Sequence, residues 1–223
     1  MNESLLRNTL VALAVCAGLC TACYFFVDRP VVFFVQDHKI NQIHWLKWLT
    51  YPPPIVQTWS PLVIAIVVIR RAFAPLARWQ HILLVACVSL IVADQFRESI
   101  GILCGRDWPD TWRNSNPSLI GSGAYGFYPF PSGEDVGSFP SGHATRILGF
   151  CSVWWIAAPR SRLLVAIIAA PMLLSLIGMN YHFVGDVIAG SFLGGIVGSY
   201  AALLGGLSSN SDEFRQAVRK AGP

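Results

Sequence analysis

Long apolar runs separated by shorter polar segments make up most of this chain. Six runs approach the ~20 residues that a helix needs to cross a bilayer: residues 5–27, 55–69, 82–96, 142–158, 163–179 and 184–207. The second and third runs are short unless their helices extend beyond them. The pattern predicts an all-α fold, a bundle of six transmembrane helices, and a single integral membrane domain that covers residues 1–223.

The polar segments between these runs differ in character. Residues 28–54 contain Trp45, Trp48 and Tyr51 and end in three consecutive prolines, which is typical of a membrane-interface segment closed by a helix breaker. Residues 97–140 are rich in Gly, Pro, Ser and Asn and predict an irregular loop, and a loop of this length is usually functional. Residues 208–223 predict a short surface helix.

The composition supports a membrane location. Hydrophobic residues make up 54% of the chain and charged residues 13%, whereas soluble domains contain about 25% charged residues. This excludes a disordered, collagen-like or coiled-coil protein. The net charge of +4 is mild and no basic cluster alternates with aromatics, so nucleic acid is not an expected partner. Cys16, Cys20 and Cys23 share one helix face, where packing is favoured over the alternative of a metal site.

Basic residues predict the orientation of the chain, because cytoplasmic loops are enriched in Lys and Arg. The N-terminus, residues 70–78, residues 160–162 and the C-terminal tail together hold nine basic and three acidic residues. Both termini are therefore expected in the cytoplasm, and the long loop on the opposite side. Low charge, short spans and a compact chain favour a bacterial inner membrane, with that loop facing the periplasm or exterior. Nothing in the sequence predicts an oligomeric state.

Two polar clusters fall on that outward side. The first, Pro140-Ser141-Gly142-His143, stands where the fourth apolar run begins. Ser caps helices and Gly allows close approach of a ligand, so this helix N-terminus predicts an anion site with an imidazole at its mouth. A capped helix with a surface histidine is the alternative.

The second cluster opens the sixth run. His182 and Asp186 are four residues apart and share one helix face. An Asp that accepts a hydrogen bond from one imidazole nitrogen leaves the other nitrogen free to attack an electrophile. A structural His–Asp hydrogen bond is the alternative.

Taken together, these motifs resemble those of the type 2 phosphatidic acid phosphatase (PAP2) superfamily, which includes membrane lipid phosphatases and vanadium haloperoxidases. The resemblance covers about residues 82–207, the expected catalytic core. It implies a PAP2-type helical bundle with its site on the non-cytoplasmic side. It also implies metal-free phosphatase chemistry without a cofactor.

The resemblance further implies a role for each motif residue. His182 would attack phosphorus and form a phosphohistidine, and Asp186 would orient His182. His143 would protonate the leaving oxygen and then activate water. The phosphoryl oxygens would be held by Ser141, the Gly142 backbone N–H and Arg106.

The chain departs from the family pattern at two places. Where the family's first motif has Lys, six residues and Arg-Pro, this chain has Gly101 and Trp108-Pro109, and where its third motif opens with Ser-Arg, Ser175-Leu176 stands here. Both motifs therefore lack their cations. The accessory residues that could replace them are Arg97, Arg146 and Asn180. Asp94 is expected to pair with Arg97 at i+3.

The expected substrate is a lipid phosphate whose tail stays in the bilayer. Candidates are a polyprenyl diphosphate, phosphatidylglycerol phosphate, phosphatidic acid and a lipid A phosphate. Residues 121–131 contain Tyr125, Phe127, Tyr128 and Phe130, which predict either an aromatic lid or an interfacial belt. Two alternative functions stay open: a phosphotransferase that passes the phosphoryl group to another lipid or sugar, and a non-catalytic transporter or scaffold.

Overall fold

The computed structural model describes residues 3–112, 115–130 and 137–208, and these residues form helices and irregular segments without a β-strand. The α-helices are α1 (Glu3–Ala22), α2 (Asp28–Asp37), α3 (His44–Leu49), α4 (Pro52–Phe73), α5 (Arg78–Cys104), α6 (Leu119–Ser122), α7 (Gly142–Ala157), α8 (Arg162–Gly178) and α9 (Val184–Leu204). A π-helical turn at Cys23–Val27 joins α1 to α2, and 3-10 turns occupy Ile40–Gln42 and Pro159–Ser161.

Within the described residues, five helical stretches are long and apolar enough to cross a membrane: Leu5–Asp37, His44–Phe73, Arg78–Cys104, Pro159–Gly178 and Val184–Leu204. The remaining apolar run, the fourth, corresponds to α7, whose 16 residues extend over ~24 Å at 1.5 Å per residue. The prediction of an all-α membrane bundle is confirmed, with α7 as its shortest member. The chain is an integral membrane protein.

Three predicted boundaries were wrong. The first helical stretch continues past Val27 through the π-helical turn into α2, so Asp28 belongs to a helix and not to an interfacial loop. The proline run begins α4 and does not merely interrupt the chain, because the first-turn N–H groups of a helix need no partner within it. Residues 97–104 belong to α5.

The predicted surface helix of the tail falls almost entirely on residues 209–223, which lie outside the described residues.

Helix α7 packs between α5 and α9 at the centre of the bundle. On the α9 side, Gly190, Gly194 and Gly198 repeat every fourth residue, and a Cβ added at Gly190 would collide with the Ser141 carbonyl oxygen. On the α5 side, Ser89 Oγ donates a hydrogen bond to the Gly149 carbonyl at 2.8 Å. Small residues allow helix backbones to touch in a membrane. The close contact fixes the N-termini of α7 and α9 relative to each other.

The segment that follows α5 folds back over this end of the bundle. Gly105 ends α5 in the left-handed region at φ 54°. Gly137, at φ 80°, lies directly on Arg106, since a Cβ there would stand 2.6 Å from the Arg106 backbone nitrogen and oxygen. The Ser138 N–H donates to the Arg106 carbonyl at 2.9 Å. The predicted irregular loop is therefore held against the helix ends near the two sequence motifs.

Candidate active site

The two sequence motifs meet where α7 and α9 begin. The Ser141 N–H donates to the Asp186 carbonyl at 3.0 Å, and Ser141 Oγ caps α7 by accepting from the Ala144 N–H at 3.4 Å. In α9, Asp186 Oδ2 accepts from the Phe183 N–H at 3.0 Å. Both helices therefore present their N-terminal ends, which attract anions, to one place.

Two imidazoles face each other at this place. The ring centroids of His143 and His182 are 6.2 Å apart, and the Trp108 ring lies 5.4 Å from that of His182. His182 Nδ1 is 3.7 Å from Asp186 Oδ2, which is longer than a hydrogen bond, and this nitrogen has no hydrogen-bond partner in the described part of the chain. Such contacts often shorten only when a substrate binds.

Asp186 instead makes its strongest contact with Arg106. Arg106 NH1 donates to Asp186 Oδ1, and Arg106 NH2 donates to Asp28 Oδ2 at 2.7 Å. The side chains are almost fully buried, with 2% of Arg106 and none of either carboxylate residue exposed. We call Asp28, Arg106 and Asp186 the closed cluster.

The surroundings of the closed cluster keep Arg106 charged. Burial acts to lower the pKa of Arg106, but the carboxylates of Asp186 and Asp28 outweigh that effect, so the pKa lies above its ordinary value. The guanidinium carbon also stands 4.3 Å from the Phe183 ring centroid, a favourable cation–π distance. Because NH1 and NH2 are both paired, only Nε of Arg106 remains without a partner among the described residues.

A second group of charges lies beside the N-terminus of α7. Arg97 donates from Nε to the Pro140 carbonyl at 3.0 Å and from NH2 to the Gly137 carbonyl at 3.1 Å. Arg146 donates from Nε to Asp94 Oδ1 at 2.7 Å. We call Arg97, Arg146 and Asp94 the open cluster, because the Arg146 and Asp94 side chains are 16% and 13% exposed.

Both arginines of the open cluster approach Gly142. A Cβ added there would lie 3.4 Å from Arg97 Nε and 3.6 Å from Arg146 NH1. The predicted Asp94–Arg97 pair was wrong: Asp94 pairs with Arg146, and Arg97 NH1 pairs with Glu98 at 2.8 Å. Gln57 on α4 donates to the second Asp94 oxygen at 2.6 Å.

Asn180 binds the backbone of α2 through its side chain. It adopts a left-handed backbone at φ 52°, and its side-chain amide donates to the Val32 carbonyl at 3.3 Å. Its position favours holding α2 against the turn before α9 over replacing the missing motif Arg. Leu176, at the position of that Arg, is fully buried in an apolar cluster with Ala144, Met172 and other residues.

The aromatic residues of 121–131 divide into two groups. The Tyr125 ring stacks on Tyr24 at 4.7 Å, and its hydroxyl donates to the Tyr24 carbonyl at 2.6 Å. Burial raises the pKa of Tyr125 to about 12, so the phenol stays neutral. Tyr128 and Phe130 are exposed. One part of the segment therefore covers the closed cluster, while the other faces outward.

Two polar residues at the site were not predicted from the sequence. Asp28 was assigned to an interfacial loop, and Gln57 was counted within an apolar run. A signal existed for both, since an ionisable or amide side chain within a membrane helix usually faces a partner inside the bundle. Among the described residues, no three His, Cys, Asp or Glu side chains are grouped in a way that could hold a metal ion.

Comparison with known proteins gives two matches. The family model described as the PAP2 superfamily matches residues 82–206. Among solved structures, the chain is similar to the "first transmembrane PAP2 type phosphatidylglycerolphosphate phosphatase from Bacillus subtilis", with 18% identity, a TM-score of 0.48, and coverage of 89% of this chain and 92% of that one. A search of curated proteins finds no match.

Proposed function

The chain belongs to the PAP2 superfamily, as its motifs predicted, and from this premise we propose that it is a membrane-bound phosphatase acting on a lipid phosphate or diphosphate. The observation that carries the proposal is the meeting of His143 and His182, 6.2 Å apart, at a helix N-terminus. The guanidinium groups of Arg97 and Arg146 lie against the same helix start. A scaffold has no need of two facing imidazoles beside two cations.

In the proposed first step, His182 Nε2 attacks phosphorus and the bond from phosphorus to the leaving oxygen breaks. Asp186 lies on the Nδ1 side of the ring, which leaves Nε2 for the attack. His143 donates its proton to the leaving oxygen, so the lipid departs as a neutral alcohol or as a lipid monophosphate.

In the second step, His143, now neutral, accepts a proton from water as the water oxygen attacks the phosphohistidine. The N–P bond breaks, inorganic phosphate leaves, and His182 is restored. No step requires a metal ion. General acid–base and nucleophilic catalysis by positioned side chains supply the chemistry.

The phosphoryl oxygens are held, in this proposal, at the N-terminus of α7. Ser141 and the Gly142 backbone N–H lie at that end, and Arg97 and Arg146 supply the positive charge. Arg106 was predicted to bind phosphate, but two of its nitrogens are occupied by carboxylates. The three nitrogens of Arg97 are likewise engaged, by two backbone carbonyls and Glu98. We therefore assign the direct phosphate contacts of this chain mainly to Arg146 and give Arg97 and Arg106 supporting roles.

The proposed substrate reaches the site from the outer leaflet. The charge bias of the loops favours this side, and the exposed Tyr128 and Phe130 suit a membrane interface. The tail would stay in lipid while the phosphate enters between the two arginines. Sealed right-side-out vesicles supplied with external lipid phosphate should release phosphate to the outside only.

A phosphate-release panel tests the proposed function. Detergent-solubilised protein is given phosphatidylglycerol phosphate, phosphatidic acid, a polyprenyl diphosphate and a lipid A phosphate, in parallel with and without EDTA and without an acceptor lipid. We expect release from at least one lipid, and loss of ~100-fold or more in His143→Ala and His182→Ala. The control is His44→Ala, which removes an exposed histidine on α3.

Each result bears on a different alternative. Release that persists in His182→Ala would overturn the phosphohistidine. Inhibition by EDTA would overturn the metal-free mechanism. Formation of phosphorylated acceptor only when an acceptor alcohol is added, without inorganic phosphate, would favour the transferase, and no turnover of any lipid with or without acceptor would favour a non-catalytic protein.

A further inference from the structure

Asp28 lies on α2, outside the residues that the family model matches. It is the first residue after the π-helical turn, and its N–H donates to the Cys23 carbonyl five residues earlier. A π-helical turn accommodates one extra residue, so it rotates the residues that follow it, and such turns are frequent at functional sites. Here the rotation places a carboxylate, fully buried, beside the start of α9.

Both oxygens of Asp28 are used at the site. Oδ2 accepts from Arg106 NH2 at 2.7 Å, and Oδ1 accepts from the Gly185 N–H at 2.9 Å. Gly185 leaves little room, because a Cβ there would lie 3.2 Å from Asp28 Oδ2 and 3.4 Å from Arg106 NH1. Asp28 therefore binds both the arginine that holds Asp186 and the helix turn that carries it.

The charges of the closed cluster do not balance without a further cation. Asp28 and Asp186 carry two negative charges and Arg106 carries one positive charge. Since the cluster is buried, the surplus negative charge is weakly screened. Among the described residues, the titratable groups that lie against His182 are Asp186 on α9 and His143 on α7, while Arg106 acts on His182 through Asp186. The surplus favours a positive charge on the His182 ring.

We propose that Asp28 is a positioning residue: by neutralising Arg106 and holding the first turn of α9, it leaves the negative charge of Asp186 available to His182. The catalytic consequence rests on the proposed function, whereas the electrostatic coupling between Asp28 and His182 does not. Without Asp28, Arg106 would be neutralised by Asp186 alone.

The test compares Asp28→Asn with Asp37→Asn, which removes an exposed carboxylate on the same helix. Asn keeps the shape and an oxygen acceptor for the Gly185 N–H but removes the charge. The first measurement needs no substrate: the pH titration of the His182 ring in ¹⁵N-histidine-labelled protein, assigned by His182→Ala. We expect His182 to titrate at lower pH in Asp28→Asn and unchanged in Asp37→Asn. An unchanged titration in Asp28→Asn would overturn the proposal, whether or not the protein is a phosphatase.

Turnover of the best substrate in the panel is the second measurement. For Asp28→Asn we expect kcat to fall on the order of 10- to 100-fold, as for outer partners of catalytic or ligating histidines, with little change in KM. Asp28→Glu keeps the charge but displaces it, so its kcat should fall while its His182 titration stays near that of the parent protein. Should Asp28→Asn fail to fold, Asp28→Glu alone would decide the positional claim, and full kcat there would overturn it.

Discussion

The closed cluster adjoins His182, the open cluster adjoins Gly142 next to His143, and the two contain ion pairs of the same length. Arg106 and Asp28 are 2.7 Å apart, and so are Arg146 and Asp94. Their surroundings differ: the first pair is 2% and 0% exposed, the second 16% and 13%. In the closed cluster, Arg106 NH1 and NH2 each donate to a carboxylate, and only Nε has no partner among the described residues. In the open cluster, Arg146 NH1 and NH2 make no hydrogen bond to any described residue.

The comparison separates two tasks that the sequence motifs do not distinguish: holding Asp186 in place and binding phosphate. A buried charge must be paired, because removing it from water costs several kcal/mol, so the closed cluster is suited to hold Asp186 and the start of α9. A partly hydrated guanidinium can exchange water for phosphate oxygens and gain charge-assisted hydrogen bonds. The N–O distances of the two ion pairs do not distinguish these tasks, whereas the burial of their side chains does.

The largest difference between the clusters should appear in stability. Arg106→Gln leaves Asp28 and Asp186 buried without a cation, and breaking a buried pair costs about 3–5 kcal/mol. Arg146→Gln breaks a less deeply buried pair, whose cost should lie between that value and the about 0–1 kcal/mol of exposed pairs. Thermal unfolding in detergent should therefore show a large fall in Tm for Arg106→Gln and a smaller one for Arg146→Gln. Equal shifts in the two variants would remove the distinction between the clusters.

The second difference should appear in substrate binding. Arg146→Gln removes a charged donor beside Gly142, and a hydrogen bond to a charged group contributes about 1.5–3 kcal/mol. Arg97→Gln removes a nearby charge whose nitrogens already donate to two carbonyls and Glu98. We expect kcat/KM to fall by about tenfold or more in Arg146→Gln and by less in Arg97→Gln, and product inhibition by inorganic phosphate to weaken in parallel. Inhibition constants measured on well-folded variants check this.

Arg146→Lys refines the same measurement. A lysine keeps the charge but lacks the planar fork that binds two oxygens at once. It should restore only part of the lost phosphate affinity. Full restoration would mean that Arg146 acts as a distant charge, and unchanged phosphate inhibition in both glutamine variants would place the substrate cations elsewhere.

The sequence predicted the fold class and the meeting of the two motifs, for a physical reason. Apolar run length is set by bilayer thickness, and the motif residues at 140–143 and 182–186 carry their own helix-start chemistry. The boundary at Val27 could not be predicted this way, because a π-helical turn leaves no mark in the apolar pattern. Asp28 therefore looked like the first residue of a loop.

The ion-pair partners of the arginines could not be predicted from the sequence either. Helical spacing suggested Asp94 with Arg97, yet the observed partner of Asp94 is Arg146, which is 52 residues away in sequence. Local spacing describes one helix surface only, whereas the pairing depends on how α5 faces α7. That packing is determined by contacts such as Ser89 with Gly149, which become visible only in three dimensions.

The smallest expected effect concerns Gln57, which touches no arginine but completes the open cluster. Its amide donates to Asp94 Oδ2 at 2.6 Å, while the other Asp94 oxygen accepts from Arg146. Gln57→Leu should let Asp94 turn and release Arg146 from its orientation toward Gly142. A single hydrogen bond of this kind contributes about 1 kcal/mol, so we expect kcat/KM to fall by about fivefold. Tm should hardly change, because the site is partly hydrated.

The matched control is Gln95→Leu, the same replacement at an exposed position of α5, for which no change is expected. Steady-state kinetics of both variants, with phosphate as the inhibitor, provide the check. Gln57 acts on the substrate only through Asp94 and Arg146. A fall in kcat/KM as large as that of Arg146→Gln would therefore mean that the orientation of Arg146 matters as much as its charge. A Tm loss comparable to that of Arg106→Gln would instead mean that the open cluster, like the closed one, is part of the structural core.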